Sequence, residues 1–190
     1  MIWEKQWELF APNFKEGKAH IDLTPYGCPE TLRLYPGPGF GDLSHPTTRL
    51  VLRLMQPYVK DQIVLDIGCG SGILSLAAAA MGAVQVDGYD IDPESVEHAN
   101  KNAKLCQRRI RFATTPPTKI APVLLMNMIS SEQAEAWSMI ADRVPSSATL
   151  ITSGVLEEHQ QDYLVRKAQQ GWKIMNTLTE DGWCGYIFRL

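Results

Sequence analysis

The sequence predicts an α/β fold in which helices cover both faces of a mainly parallel sheet. Three observations carry that reading. Residues Val64 to Asp92 run strand, glycine turn, helix, strand, acid, the first half of a nucleotide-binding sheet. Short apolar runs alternate with helical stretches along most of the chain. The run Val123 to Met126 is apolar at every position, as a strand covered on both faces must be.

Taken in order, residues 1–35 are mixed. Trp3 and Trp7, four apart, share one face of a short helix that packs on the domain. Gly27 to Pro38 is rich in Pro and Gly and is expected to hold no regular element. Ser44 or His45 can cap a helix opening at Pro46, where a missing N–H does no harm. Leu50, Val51, Leu54 and Met55 form its buried stripe, and Thr47 and Thr48 fall in its first turn. The first central strand, Ile63-Val64-Leu65, ends in Asp66 and runs into Gly68-Cys69-Gly70-Ser71-Gly72. Glycines at alternate positions let the backbone turn tightly and leave its N–H groups open to a ligand. The helix Ile73 to Met81 points its positive end at the same ligand.

A second strand, Val84 to Tyr89, finishes at Asp90, and Pro93 opens a helix running to about Leu105. Arg109 to Ala113 is a short strand, Thr114 to Pro122 a loop, and Asn127 closes the strand that begins at Val123. Glu132 to Arg143 reads as a helix, Thr149 to Ser153 as a strand, and Glu157 to Gln170 as a helix closed by Gly171. Trp172 to Thr177 and Tyr186 to Arg189 form a final strand pair around Asp181-Gly182. Residues 1–36 are read as an extension packing on the core and 37–190 as one domain.

Composition narrows the function classes. With 190 residues, 45% of them hydrophobic, the chain suits one domain with a substantial core. A formal net charge of -3 gives no electrostatic reason to expect a nucleic-acid backbone as partner. Cys28, Cys69, Cys106 and Cys184 are widely spaced and form no CxxC pair, so a reduced cytoplasmic setting is expected rather than a disulfide framework or zinc site. The N-terminal residues lack the character of a secretory signal. The longest apolar stretch, around Ile73 to Val86, is interrupted by Ser75, Gly82 and Gln85 and is too short to span a bilayer. His45 has no partner at metal-ligand spacing; a helix-start or loop hydrogen bond is expected of it, and no metal.

The glycine turn discriminates among ligands. A P-loop needs Lys-Ser or Lys-Thr after its glycines, and Ser71-Gly72-Ile73 offers neither. A dinucleotide turn prefers G-x-G-x-x-G, whereas here the third glycine arrives one residue early and Ile73 holds its place. The tighter D-x-G-x-G-x-G of Asp66 to Gly72 resembles the cofactor loop of class I S-adenosylmethionine-dependent methyltransferases. Asp90 stands where an acid ending the second strand would accept hydrogen bonds from both ribose hydroxyls.

The resemblance extends further. Gly37-Pro-Gly-Phe-Gly-Asp-Leu-Ser-His-Pro-Thr-Thr48 is similar to the P-G-x-A-F-G-T-G-x-H-x-T-T segment of the ribosomal protein L11 methyltransferase (PrmA) family. The similarity continues through VLDIGCGSGILSLAA and GYDIDPESVEHANKNA into Asn127-Met-Ile, which matches that family's N-I-L. Trp3-Glu-Lys-Gln-Trp7 resembles its W-E-x-x-W run, and Gly182-Trp183-Cys184 its E-W-C. The resemblance implies a Rossmann-like, seven-stranded α/β/α sheet with the last strand antiparallel. It implies S-adenosyl-L-methionine as cofactor, with contacts at Thr48, Gly68, Asp90 and Asn127. Asp42 and Leu43 replace the family's Thr and Gly after Phe40-Gly41. The sequence also begins after the point where the family's separate N-terminal recognition domain ends, so fold and cofactor are expected to transfer more directly than substrate.

Other candidates keep two readings each. Asn127 serves the site as catalytic and cofactor-binding acceptor, or caps a turn. Thr48 contacts the cofactor or caps the first helical turn. Asp66 orients the glycine loop and reaches the cofactor's amino group, or is structural. Gly70 offers its N–H in the cofactor loop. Ile91 covers one face of the adenine or packs in the core, and Phe40 packs against cofactor or substrate, or anchors its loop. Asp92 is expected as a helix-start residue and Cys69 as a small space-filler. The leading expectation is a protein N-methyltransferase acting on lysine or an α-amine, with a ribosomal protein as the substrate the resemblance implies. A small-molecule methyltransferase of the same fold and a non-catalytic cofactor-binding subunit are the alternatives.

Overall fold

The computed structural model describes residues 3–11 and 13–190. Helix α1 (Trp3–Phe10) buries Trp7 and half-buries Trp3 on one face, as their spacing predicts. Strands β1 (Phe14–Lys15), β2 (Lys18–Asp22) and β3 (Thr31–Leu34) then form a small antiparallel sheet. β3 corrects the expectation that Gly27 to Pro38 holds no regular element. Its Leu32 and Leu34 are buried and alternate with exposed Thr31 and Arg33, the pattern of a strand with one wet face. Pro29 and Pro36 lie beyond its ends and so remove no ladder hydrogen bond.

Helix α2 (Pro46–Val59) buries the expected stripe together with Leu52 and Val59. Then follow β4 (Ile63–Ile67), α3 (Ile73–Ala80), β5 (Gln85–Tyr89), α4 (Pro93–Leu105), β6 (Arg111–Ala113), β7 (Val123–Asn127), α5 (Ser130–Ser138), β8 (Thr149–Leu156), α6 (Gln160–Gln169), β9 (Lys173–Glu180) and β10 (Trp183–Arg189). β8 and β9 run three residues past their expected ends and β10 begins three residues before its expected start. Two helix boundaries also differ from expectation. The single helix expected over Glu132 to Arg143 is α5 followed by a separate 3-10 turn, Ala141–Arg143. The helix expected from Glu157 likewise opens as a 3-10 turn, Glu157–His159, before α6.

Among the described residues, seven strands form the main sheet in the order β6-β5-β4-β7-β8-β10-β9. β10 runs antiparallel to both its neighbours while the rest are parallel to one another, so the expected antiparallel last strand is present. Alternation along the central strands feeds two separate cores. Val64, Leu125 and Ile151 pack on one face with α2, α3, α4 and the small N-terminal sheet. Leu65, Ile67, Leu124, Met126 and Leu150 pack on the other with Tyr163, Trp172, Tyr186 and Phe188. The chain winds outward from β4 to β5 and β6, then returns to lay β7 and β8 on β4's other side. At such a reversal the loops at the strand carboxyl ends part and leave a crevice. Among the described residues no helix is long and apolar enough to cross a membrane.

Candidate functional site

Two loops make the floor of the crevice. In the first, Gly68, Gly70 and Gly72 all take left-handed backbone conformations (φ +69°, +53° and +80°), which a side chain would oppose. The second is Pro36 to Gly41, which lies directly on the first. Ser71 donates its backbone N–H to the Phe40 carbonyl (2.9 Å) and its hydroxyl to the Gly41 carbonyl (2.7 Å). The approach is close enough that a Cβ on Gly39 would stand 2.4 Å from the Gly70 carbonyl carbon. Helix α4 holds both loops through Asn102, whose Nδ2 donates to the Ser71 carbonyl (2.9 Å) while its Oδ1 accepts from Tyr35 N–H (2.8 Å).

Above the carboxyl ends of β4, β5 and β7 opens a cavity of about 530 Å³. Phe40, Gly68, Gly70, Asp90, Ile91 and Asn127, all nominated from sequence, line it. Asp90 follows β5 and is fixed from below: Oδ2 accepts from Gly70 N–H (3.0 Å) and Oδ1 from Asp92 N–H (3.1 Å). This corrects the expectation that the turn's N–H groups stay open to a ligand: Gly70 uses its own to hold Asp90, and those of Gly68 and Cys69 go to the Tyr89 carbonyl. Each carboxylate oxygen can accept a second bond, so the group can still receive a vicinal diol. Ile91 is 73% exposed and Phe40 53% exposed at the rim, surfaces that a ligand would cover.

Asn127 ends β7. Its Nδ2 donates to the Thr48 hydroxyl (3.3 Å), and its Oδ1 is buried without a hydrogen-bond partner among the described residues. An orphaned buried acceptor marks a place where a donor belongs. Thr48 itself is fully buried behind Asn127 and forms no part of the cavity wall, whereas Thr47 and His45 do. His45 caps α2, its Nδ1 accepting from Thr47 N–H (3.4 Å) and lying 2.9 Å from the Thr47 hydroxyl. Its ring stands edge-on between Phe40 (5.5 Å) and Trp183 (4.9 Å), and burial lowers its pKa from the ordinary histidine value.

Asp66 also sits behind the wall. Its Oδ2 accepts from Ser75 N–H (3.0 Å) and the Ser75 hydroxyl (2.6 Å), closing the first turn of α3, and its Oδ1 has no partner among the described residues. Burial pushes the Asp66 carboxyl up to about 6; the Ser75 bonds oppose that rise and the Asp90 charge adds to it. The folded state therefore holds a proton that the unfolded chain releases near pH ~4. This group's contribution to stability is complete below that pH and is lost as pH rises through about 6. Asp66→Asn, whose amide oxygen can still accept from Ser75, should flatten the decline by about 1.4 kcal/mol per pH unit across that window. Urea unfolding at several pH values would read it, and equal slopes in both proteins would show the carboxyl titrates normally.

Asp92 caps α4, accepting from Glu94 and Ser95 N–H (both 3.1 Å), as its position predicts. Cys69 is buried, and burial together with the Asp66 and Asp90 charges drives its thiol pKa far up, which suits a space-filler and not a nucleophile. The remaining wall includes Met128, Ile129, Glu132, Glu135, Met139, Gly154 and Trp183, none of them nominated from sequence. The α5 residues follow Asn127 closely and could have been found from that neighbourhood. Gly154 and Trp183 arrive from β8 and β10, and only the E-W-C similarity hinted at the latter. Among the described residues the wall's Asp and Glu side chains are Asp90, Glu132 and Glu135, and no Lys or Arg lines it.

A family model described as ribosomal protein L11 methyltransferase (PrmA) matches residues 21–190. The ribosomal protein L11 methyltransferase of Thiobacillus denitrificans is 37% identical over 158 residues, covering 80% of this chain and 52% of that protein. That of Geobacter sulfurreducens is 32% identical over 192 residues, covering 100% of this chain and 60% of that protein. The chain thus spans little more than half the length of these curated relatives. Among solved structures, the ribosomal protein L11 methylase of Lactobacillus delbrueckii subsp. bulgaricus superposes with a TM-score of 0.76 at 27% identity, covering 84% of this chain and 85% of that one. Magnesium protoporphyrin IX methyltransferase of Synechocystis PCC 6803 shares the fold at 21% identity, with a TM-score of 0.57 and 72% of each chain covered.

Proposed function

The chain belongs to the ribosomal protein L11 methyltransferase (PrmA) family, and on that premise we propose that it binds S-adenosyl-L-methionine in the cavity and methylates an amino nitrogen of a protein. The acceptor is a lysine ε-amine or an α-amine, and a ribosomal protein is the substrate class its relatives' names suggest. The single observation carrying the reading is the convergence, around one cavity, of the diol-accepting Asp90, the glycine turn and the orphaned Asn127 carbonyl oxygen.

The residues fit that cofactor. Its ribose offers the vicinal diol that Asp90 can receive, and its cationic sulfonium suits a wall whose Asp and Glu charges meet no Lys or Arg among the described residues. Ile91 and Phe40 are exposed apolar surfaces of the kind that cover an aromatic base. When bound, the cofactor supplies an activated methyl group whose departing thioether needs no protonation. The chain's own task is to align the nucleophile in line with that methyl and to exclude water.

A lysine ε-amine, with a pKa near ~10.4, must lose its proton before it can attack. A neutral amine keeps two N–H donors and needs acceptors to aim its lone pair. Asn127 Oδ1 serves as one; the Thr48 hydroxyl fixes the amide by accepting from Nδ2 and so leaves Oδ1 free for the task. Thr48 acts as a prop and touches no reacting atom. Asn127→Ala is expected to lower kcat by about 10- to 100-fold, the range for losing one such hydrogen bond in a buried site. Full turnover in that variant would remove the assigned role.

Incubation with methyl-labelled cofactor and a ribosomal fraction tests the whole reading. A labelled protein band supports it. A labelled small molecule, or binding without transfer, would replace it with one of the two alternatives weighed from the sequence.

A further inference from the structure

We propose that His98, outside the cavity, is a positioning residue for it: as the neutral Nε2–H tautomer it clamps the Tyr35 to Gly41 loop onto the glycine turn, and protonation of the ring releases the clamp. The ligand chosen as probe rests on the function proposed above; the clamp rests on geometry. His98 lies on α4 and is 3% exposed. Its Nε2 stands 2.7 Å from the Tyr35 carbonyl oxygen, which can only accept, so Nε2 carries the hydrogen. Its Nδ1 lies 3.2 Å from Gly39 N–H, which can only donate, so Nδ1 carries the lone pair. Together the two bonds specify one tautomer and one charge state.

The fit around the ring is tight. A Cβ on Gly37 would stand 2.6 Å from it, so the loop backbone passes directly across the imidazole. From the other side the Trp7 ring of α1 meets it edge-on at 5.7 Å. Asn102, four residues further along α4, holds Tyr35 N–H and the Ser71 carbonyl from the same helix face. The clamped loop carries Phe40, which both lines the cavity and accepts from Ser71 N–H. Displacing Gly39 therefore disturbs the rim and the glycine turn together.

A second proton on the ring would set an N–H at Nδ1 against Gly39 N–H. The loop would lose a buried acceptor and gain a clash of two donors. Burial already lowers the His98 pKa; the Tyr35 carbonyl bond opposes that, and Lys101 on the same helix adds to it. From α1 the facing group is the Trp7 ring and from the loop the Tyr35 carbonyl, so Lys101 is the charge acting on the ring among the described residues. The clamp is therefore intact above the ordinary histidine range and is lost as pH falls through the lowered value.

The test pairs two readouts on the full chain. NMR titration of the His98 ring and hydrogen exchange of the Gly39 amide follow the clamp itself, and calorimetry with S-adenosyl-L-methionine follows its consequence. In the wild type, affinity should fall by about tenfold per pH unit below the His98 pKa, with Gly39 exchange rising in step. His98→Asn places a non-titrating oxygen near the position of Nδ1; it should bind within about threefold of wild type near neutral pH and lose that acid limb. His98→Phe leaves Gly39 N–H unsatisfied and should bind at least about tenfold more weakly at every pH. Asp66 and His45 titrate in all three proteins, so the acid limb is read from the ratio of wild-type to variant affinity, in which their effects cancel. An acid limb retained in His98→Asn, or wild-type affinity in His98→Phe, would overturn the proposal. A wild type that binds no cofactor at any pH sinks the proposed function instead, and the ring titration and Gly39 exchange then still decide the clamp.

Discussion

Asp90→Ala is expected to weaken S-adenosyl-L-methionine binding by at least about a hundredfold. Hydrogen bonds to a charged group contribute about 1.5–3 kcal/mol each, so losing both ribose bonds costs about 3–6 kcal/mol, or roughly 10²- to 10⁴-fold in affinity. The same substitution strips acceptors from Gly70 N–H and Asp92 N–H, loosening the turn that holds the cofactor and the start of α4. It also removes an acidic charge from a cavity proposed to hold a cation. Asp90→Asn preserves shape and one acceptor and should fall between the two. Isothermal titration measures the series directly. Wild-type affinity in Asp90→Ala would show that the ligand sits elsewhere on the molecule.

Gly39→Ala is the second large expected effect, and it is steric. The new Cβ would lie 2.4 Å from the Gly70 carbonyl carbon, 2.5 Å from Ser71 N and 2.6 Å from the Gly70 oxygen. All three are backbone atoms, which have no rotamer to yield, so the two loops must part. Parting breaks the bonds from Ser71 to the Phe40 and Gly41 carbonyls. Overpacking of this kind costs about 1–3 kcal/mol in stability. Cofactor affinity should fall by at least about tenfold, since the displaced turn carries Gly70 and with it Asp90's partner. At Gly68 the nearest obstruction is the Met128 methyl, the far end of a flexible side chain, so the steric part of Gly68→Ala should be milder. Calorimetry and thermal unfolding of Gly39→Ala separate the two effects. Unaltered affinity would show that loop contact is dispensable to the site.

Much of this molecule is legible in its sequence. Local rules wrote the helix starts: Pro46 after His45, and Pro93 after Asp92, open α2 and α4 as expected. Period and continuity of apolar residues located the strands of the main sheet to within a few positions, because a central strand covered on both faces admits little else, whereas β1 and β2 went unread. The Pro and Gly count misled at β3, where Leu32 and Leu34 needed a wall to pack on and the wall comes from a distant part of the chain.

The site divides along the same line. Asp90, the glycine turn and Asn127 could be named because each ends a strand or opens a helix, positions that neighbouring residues specify. Burial behind the wall could not be read from them: Thr48 and Asp66 fall in equally prominent motifs, yet one props Asn127 and the other closes α3. Trp183 and Gly154 enter the wall only through the β8–β10 pairing, and His98 meets Gly39 across 59 residues of sequence. Short-range chemistry, being set by bonded neighbours, was decided by sequence: the strands, the caps, the turn and the acid that follows it. Long-range contact was decided by tertiary structure alone. It depends on how whole layers pack, and no single segment carries that information.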